Sequence, residues 1–132
     1  MGIGETLDVA SRQKWRRWLR TNHRKKNEIW LFVYRVGASP RKIALAEAVE
    51  EALCFGWIDG VMHPVDRTKF VLRFSPRRKF SIWAESNRRR VMEMARKGRM
   101  RKAGFAVLPP GLHRRCLQYA ARPRRKMEAG RK

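Results

Sequence analysis

The sequence predicts an α+β fold, a single small domain in which an antiparallel sheet of about three strands is packed by three or more helices. Three observations carry this. A chain of 132 residues has room for one modest core. Its hydrophobic content of 43% and its 5 tryptophans are those of a globular protein. Stretches with helical spacing also alternate with short aromatic and β-branched runs bounded by turn signals.

The first helix begins near Asp8 or Ser11, either of which can accept a bond from the free N–H groups of a first turn. Trp15, Trp18, Leu19 and Asn22 then recur at steps of three and four, so this helix docks through its tryptophans. Residues 28–36, around EIWLFVYRVG, are too short and too β-prone for an independent helix and are expected as a strand. GASPRK forms a loop, and IALAEAVEEALCF a helix with Leu45, Val49, Ala52 and Leu53 inward and Glu47, Glu50 and Glu51 on the other face. Gly56 ends it.

WIDGVMHPVD and TKFVLRF alternate as two antiparallel strands joined near Pro64 and Asp66. Ser81 is the expected N-cap of a helix running to about Lys97 and ending at Gly98, with Trp83, Asn87, Val91 and Met94 on one stripe. A helical turn over residues 101–106 precedes Pro109 and Pro110, and the remainder is helical in part before a basic tail. This divides the chain into a domain over residues 1–104 and a basic C-terminal extension over 105–132.

Charge is unevenly placed. The formal net charge is +22, yet residues 43–66 hold five acids and no Lys or Arg. This acidic helix also carries one of the most apolar stretches, EALCFGWIDG, and can neutralise neighbouring basic segments of the same chain. The absence of a long apolar run or a leader-like N-terminus predicts a cytoplasmic protein without integral membrane association. Cys54 and Cys116, far apart, are expected as free thiols of a reducing compartment.

EAVEEALCFGWIDG, then RFSPRRKFSIWAESNRRRV and GRMRKAG, resemble the YdeI/OmpD-associated family, also described as bacteriocin-protection proteins. WLRTNH and EIWLFVYR are similar to its opening segment, so the likeness runs from about residue 12 to residue 104. It implies a compact α+β domain associated by name with resistance to antimicrobial peptides. The C-terminal helical module of longer relatives is not found in this chain. Direct capture of a cationic peptide by so basic a protein requires an exposed acidic island, so an indirect effect is expected.

Two groups of residues are candidates for function. Arg77, Arg78 and Lys79, with Arg88, Arg89, Arg90, Arg96, Lys97, Arg99, Arg101 and Lys102, make a dense cationic surface suited to phosphates. Such a surface predicts a non-enzymatic, anion-binding protein that associates with RNA, DNA or the ribosome without reading sequence. The competing explanation is compositional, since 23 of the 33 basic residues are Arg. Asp59, Arg73, Arg77, Ser81, Trp83 and Asn87 form the second group, the alternative being a pocket for a small anionic ligand or substrate, with Asp59 paired across the sheet end to Arg73 or to Arg77 or Arg78 of the following loop and Trp83 as a stacking wall.

Trp15, Trp18, Trp30 and Trp57 are expected in the core, and Glu47, Glu50 and Glu51 on a solvated face. His23, His63, His113 and the cysteines show no metal-ligand spacing, and no phosphate-binding loop or nucleophile elbow is present, so no metal, cofactor or catalytic residue is expected. No motif assigns an oligomeric state.

Overall fold

The structure, a computed structural model, describes residues 2–78 and 81–121. In chain order it runs β1 (Thr6–Leu7), α1 (Arg12–Asn22), β2 (Ile29–Tyr34), α2 (Leu45–Cys54), β3 (Trp57–Pro64), β4 (Lys69–Pro76), α3 (Glu85–Arg96), α4 (Lys102–Ala106) and α5 (Pro110–Ala121). The α+β class is as expected. The sheet has one strand more than expected, in the order β1-β2-β4-β3. The added β1 pairs parallel to β2, with Thr6 opposite Trp30. Two residues give no alternation to read, so the sequence carries no signal for it.

Sheet register explains which residues are buried and where. β2 and β4 pair antiparallel with Ile29 opposite Phe74, Leu31 opposite Leu72 and Val33 opposite Phe70, and all six are buried in the main core. The alternate positions, Trp30 opposite Arg73, Phe32 opposite Val71 and Tyr34 opposite Lys69, face the other side of the sheet. Trp30, Tyr34 and Val71 are buried there, outside the main core cluster. Trp30 is buried as expected, but on the second sheet face, because a six-residue strand of large apolar residues is buried on both sides.

Helix α1 starts where expected, with the Ser11 side chain accepting from the Lys14 N–H at 3.3 Å. Trp15 stacks on Trp18 at 5.6 Å and tilts against Phe74 at 5.1 Å, and its Nε1 donates to the Ala48 carbonyl at 2.9 Å. One side chain thus joins α1, α2 and the sheet. Trp57 is fully buried and meets Trp18 edge-on at 5.8 Å.

The acidic, apolar segment is the centre of the domain. α2 touches α1, β2, β3, α3 and α4, so it is buried on most of its circumference. Two expectations fail here, the second for that reason. Leu45 is 45% exposed at the helix start, and Glu51, assigned to a solvated face, is fully buried. Gly56, at φ +76°, reverses the chain into β3 as expected.

Helix α3 begins at Glu85, not at Ser81, and Ala84 is its N-cap. The Ser81 hydroxyl instead donates to the Arg78 carbonyl at 2.7 Å, closing a local turn. Trp83 is buried ahead of the helix. Pro110 opens α5, where a missing N–H costs nothing. Leu112 and Cys116 of α5 join the core, and the helix lies along α3. Cys116, expected in a basic tail, is fully buried; both cysteines are free.

Candidate functional site

The basic residues fall into three groups that differ in what their guanidinium groups already touch. The first surrounds Glu51. Arg12 Nε donates to Glu51 Oε2 at 2.7 Å, Arg16 Nη1 to Oε1 at 2.8 Å, and Arg99 approaches both oxygens at 3.5 Å. Arg12 also pairs with Glu50 at 2.9 Å. Arg16 bonds the Arg99 carbonyl at 2.7 Å, so the cluster ties α1, α2 and the segment after α3 together. Burial alone would push the Glu51 carboxyl up, but Arg16 and Arg12 outweigh it and hold the group below its usual range.

The acids of α2 are therefore engaged within the chain. Glu47 completes the set by accepting from the Ala44 N–H at 2.9 Å. Sequence reasoning missed the buried carboxylate; the available signal was Arg12 and Arg16 at i, i+4 on the tryptophan helix.

The second group surrounds the loop after β4. Arg77 lies 4.0 Å above the Trp83 ring and donates to the Ile82 carbonyl at 2.6 Å. Burial holds this guanidinium below its usual range, the Asp59 charge opposing. Arg73, expected beside Asp59, turns to the other sheet face and donates to Glu28 Oε1 at 2.5 Å. Of the arginines expected near Asp59, Arg73 is thereby excluded, since Asp59 stands opposite Phe74 beside an irregularity of β3, whereas Arg77 lies within reach of the Asp59 charge. Asn87 is bound by Arg90 at 3.0 Å. Asp59, Arg77, Ser81, Trp83 and Asn87 do not border the cavities beside α3 or the one beside Trp30.

The third group lies between α3 and α5. A groove of about 520 Å³ is lined by Arg88, Arg114, Arg115, Glu85, Met92 and Gln118, among others. Buried Val91 and Met94 turn one side of α3 into the core, which leaves Arg88 and Met92 on its edge facing α5. On α5, buried Leu112 and Cys116 anchor the helix by one face. Arg114 and Arg115, exposed between them, border the groove. None of the three arginines forms an ion pair or a guanidinium hydrogen bond among the described residues. Met92 also borders a smaller cavity of about 240 Å³ that continues the groove past Arg89, Arg96 and Tyr119.

The remaining cationic candidates are less free. Arg89 meets Glu85 at 3.5 Å, Arg96 pairs with Glu93, and Lys97 reaches Glu93 at 3.7 Å. Arg101 Nη1 bonds three carbonyls of its own loop, those of Gly98, Arg99 and Met100. Arg78 and Lys102 are exposed, and Lys79 lies outside the described residues. Arg88 was legible in the sequence, whereas Arg114 and Arg115 were not. The missed signal was Leu108, Leu112 and Cys116 at steps of four, which makes the segment a core-facing helix.

No helix among the described residues is long and apolar enough to cross a membrane. A family model described as a domain of unknown function (DUF8412) matches residues 7–107. No curated protein and no solved structure matches the chain.

Proposed function

We propose that this chain, which belongs to the DUF8412 family of domains of unknown function, binds nucleic acid through its phosphate backbone in the groove between α3 and α5. The observation that carries the reading is the set of three unpaired guanidinium groups, Arg88, Arg114 and Arg115, converging on one groove beside a single carboxylate. Several other arginines are engaged within the chain, whereas Arg17, Arg20, Arg24, Arg41, Arg67 and Arg78 are exposed and form no ion pair among the described residues. Those around Glu51 neutralise a buried charge, and Arg77 stacks on Trp83.

Guanidinium groups bind phosphate oxygens in bidentate fashion, and releasing counterions from a polyanion supplies the driving force. Neither requires a particular base, so association without sequence reading follows, with RNA, DNA or ribosomal RNA all offering the same phosphates. No catalytic step is assigned to the groove. The likeness to YdeI/OmpD-associated proteins is kept as a proposed relationship. A bacteriocin-capture role draws no support from α2, whose acids are engaged internally.

The test is a salt titration of binding to a labelled single-stranded RNA and to a DNA duplex, for the wild type and for Arg88→Ala/Arg114→Ala/Arg115→Ala. Removing three phosphate contacts should reduce the slope of log K against log salt by about 2–3. A matched control, Arg24→Ala/Lys25→Ala/Lys26→Ala beyond α1, should change it far less. Equal losses from the two triple variants, or equal binding of polyglutamate, would overturn the assignment.

A further inference from the structure

The groove between α3 and α5 has two chemically different ends. At one, Arg88 faces Arg114 and Arg115 across about 520 Å³. At the other, a further 240 Å³ or so is bordered by Met92 and Tyr119, with Arg89, Glu93 and Arg96 around them. These two arginines are already paired, Arg89 with Glu85 at 3.5 Å and Arg96 with Glu93. The first end therefore offers unpaired positive charge, and the second offers an aromatic ring and a thioether.

Helical geometry sets the distance between the two ends. Arg88 and Met92 on α3 meet Arg115 and Gln118 on α5, and Met92 then meets Tyr119, so the two facing stripes run in the same sense along the groove. Four residues separate Arg88 from Met92, and four separate Arg115 from Tyr119, which places each pair about 6 Å apart along its helix axis. That is comparable to the separation of phosphate and base within one nucleotide. Met92 and Tyr119 are both partly buried and packed against the core cluster, so they are positioned before anything binds. A ring beside a polarizable sulfur suits the face of any base, since every base has a π-surface.

We propose, resting on the phosphate-binding reading of this groove, that it takes a single strand in preference to a duplex, with a phosphate on Arg88, Arg114 and Arg115 and the adjoining base stacked on Tyr119 beside Met92. A duplex keeps its bases inside the stack and offers the groove only its outer phosphates. Reaching Tyr119 from a duplex means flipping a nucleotide out, at the cost of unpairing and unstacking it. A single strand has bases free to splay onto an aromatic side chain. Stacking is indifferent to which base is presented, so the site selects the form of the nucleic acid and not its sequence.

The experiment compares, at one salt concentration, a labelled single-stranded octanucleotide carrying one 2-aminopurine, the same strand with abasic sites throughout, and a duplex of equal length. The single strand should bind about tenfold more tightly than the duplex despite its lower charge density, with quenching of the 2-aminopurine, and the abasic strand should lose about the same factor. That comparison uses the wild-type protein and needs no variant to fold. Tyr119→Leu should bind the base-bearing strand about tenfold more weakly with an unchanged salt slope, and the abasic strand and the duplex as the wild type does. Tyr119→Phe, which keeps the ring, should bind all three as the wild type does.

Arg88→Ala/Arg114→Ala/Arg115→Ala separates the two levels of the assignment. A wild-type salt slope in this variant would remove the phosphate reading and the single-strand preference with it. A lowered slope accompanied by equal binding of duplex and single strand, equal binding of abasic and base-bearing strands, or wild-type affinity in Tyr119→Leu would overturn the single-strand proposal and leave phosphate binding in place.

Discussion

Replacing Glu51 by Gln isolates the buried charge at the centre of the fold. The substitution keeps shape and one acceptor oxygen but removes the charge facing Arg12, Arg16 and Arg99. Two short charge-assisted bonds, at 2.7 and 2.8 Å, define the loss, and the 3.5 Å approach of Arg99 adds little. Arg16 is about one-tenth exposed and is left without its counter-charge, whereas Arg12 keeps Glu50. Breaking a buried pair from one side costs about 3–5 kcal/mol, which for a domain of this size lowers Tm by roughly 10–20 °C.

Urea and thermal unfolding at pH 7 measure it directly, with Glu50→Gln as comparison. Glu50 is part-exposed and pairs with Arg12 alone, so its loss should cost under about 1 kcal/mol. The pH dependence adds a signature. Because the folded Glu51 carboxyl lies below its unfolded value of about 4.3, its stabilisation is fully present above that pH and is lost as pH falls through the lower, folded value. The gap between wild type and Glu51→Gln should therefore narrow only below about pH 4. Equal costs for the two variants, or a gap that persists unchanged to pH 2, would refute this reasoning.

Gly104→Ala places a Cβ 2.4 Å from the Cys54 carbonyl oxygen, which is backbone and cannot swing aside, so denaturation should show a loss of about 1–3 kcal/mol. Gly111→Ala meets nothing within 4 Å and lies in α5, so it should be neutral or stabilising by up to about 1 kcal/mol. Burial pushes the thiols of Cys54 and Cys116 up to about 11 each, so iodoacetamide at pH 8 should leave the native protein unlabelled and react with both on unfolding. Since these folded values are raised, stability should be intact below about pH 8.5 and fall as pH rises toward 11.

The elements with strong local signals were readable. Ser11 as a cap, Gly56 as a stop and the alternation through β3 and β4 all act within a few residues, where local chemistry decides the backbone. Features set by what packs from elsewhere in the chain were not. Glu51 looked solvated because three of its neighbours come from Arg12, Arg16 and Arg99, far away in sequence. Arg73 was assigned to Asp59 on adjacency, but strand alternation sends it to Glu28 on the opposite face. The groove was half legible: Arg88 stood out on its helix, and its partners on α5 emerged only once that helix lay along α3.

The most direct test of the central claim is a residue-resolved titration of the ¹⁵N-labelled protein with a short single-stranded RNA at low salt. The account predicts shifts concentrated on Arg88, Met92, Gly111, Arg115 and Gln118, reversed by added salt. Shifts spread evenly over every arginine-bearing surface, or centred on α1 with the groove unmoved, would contradict it.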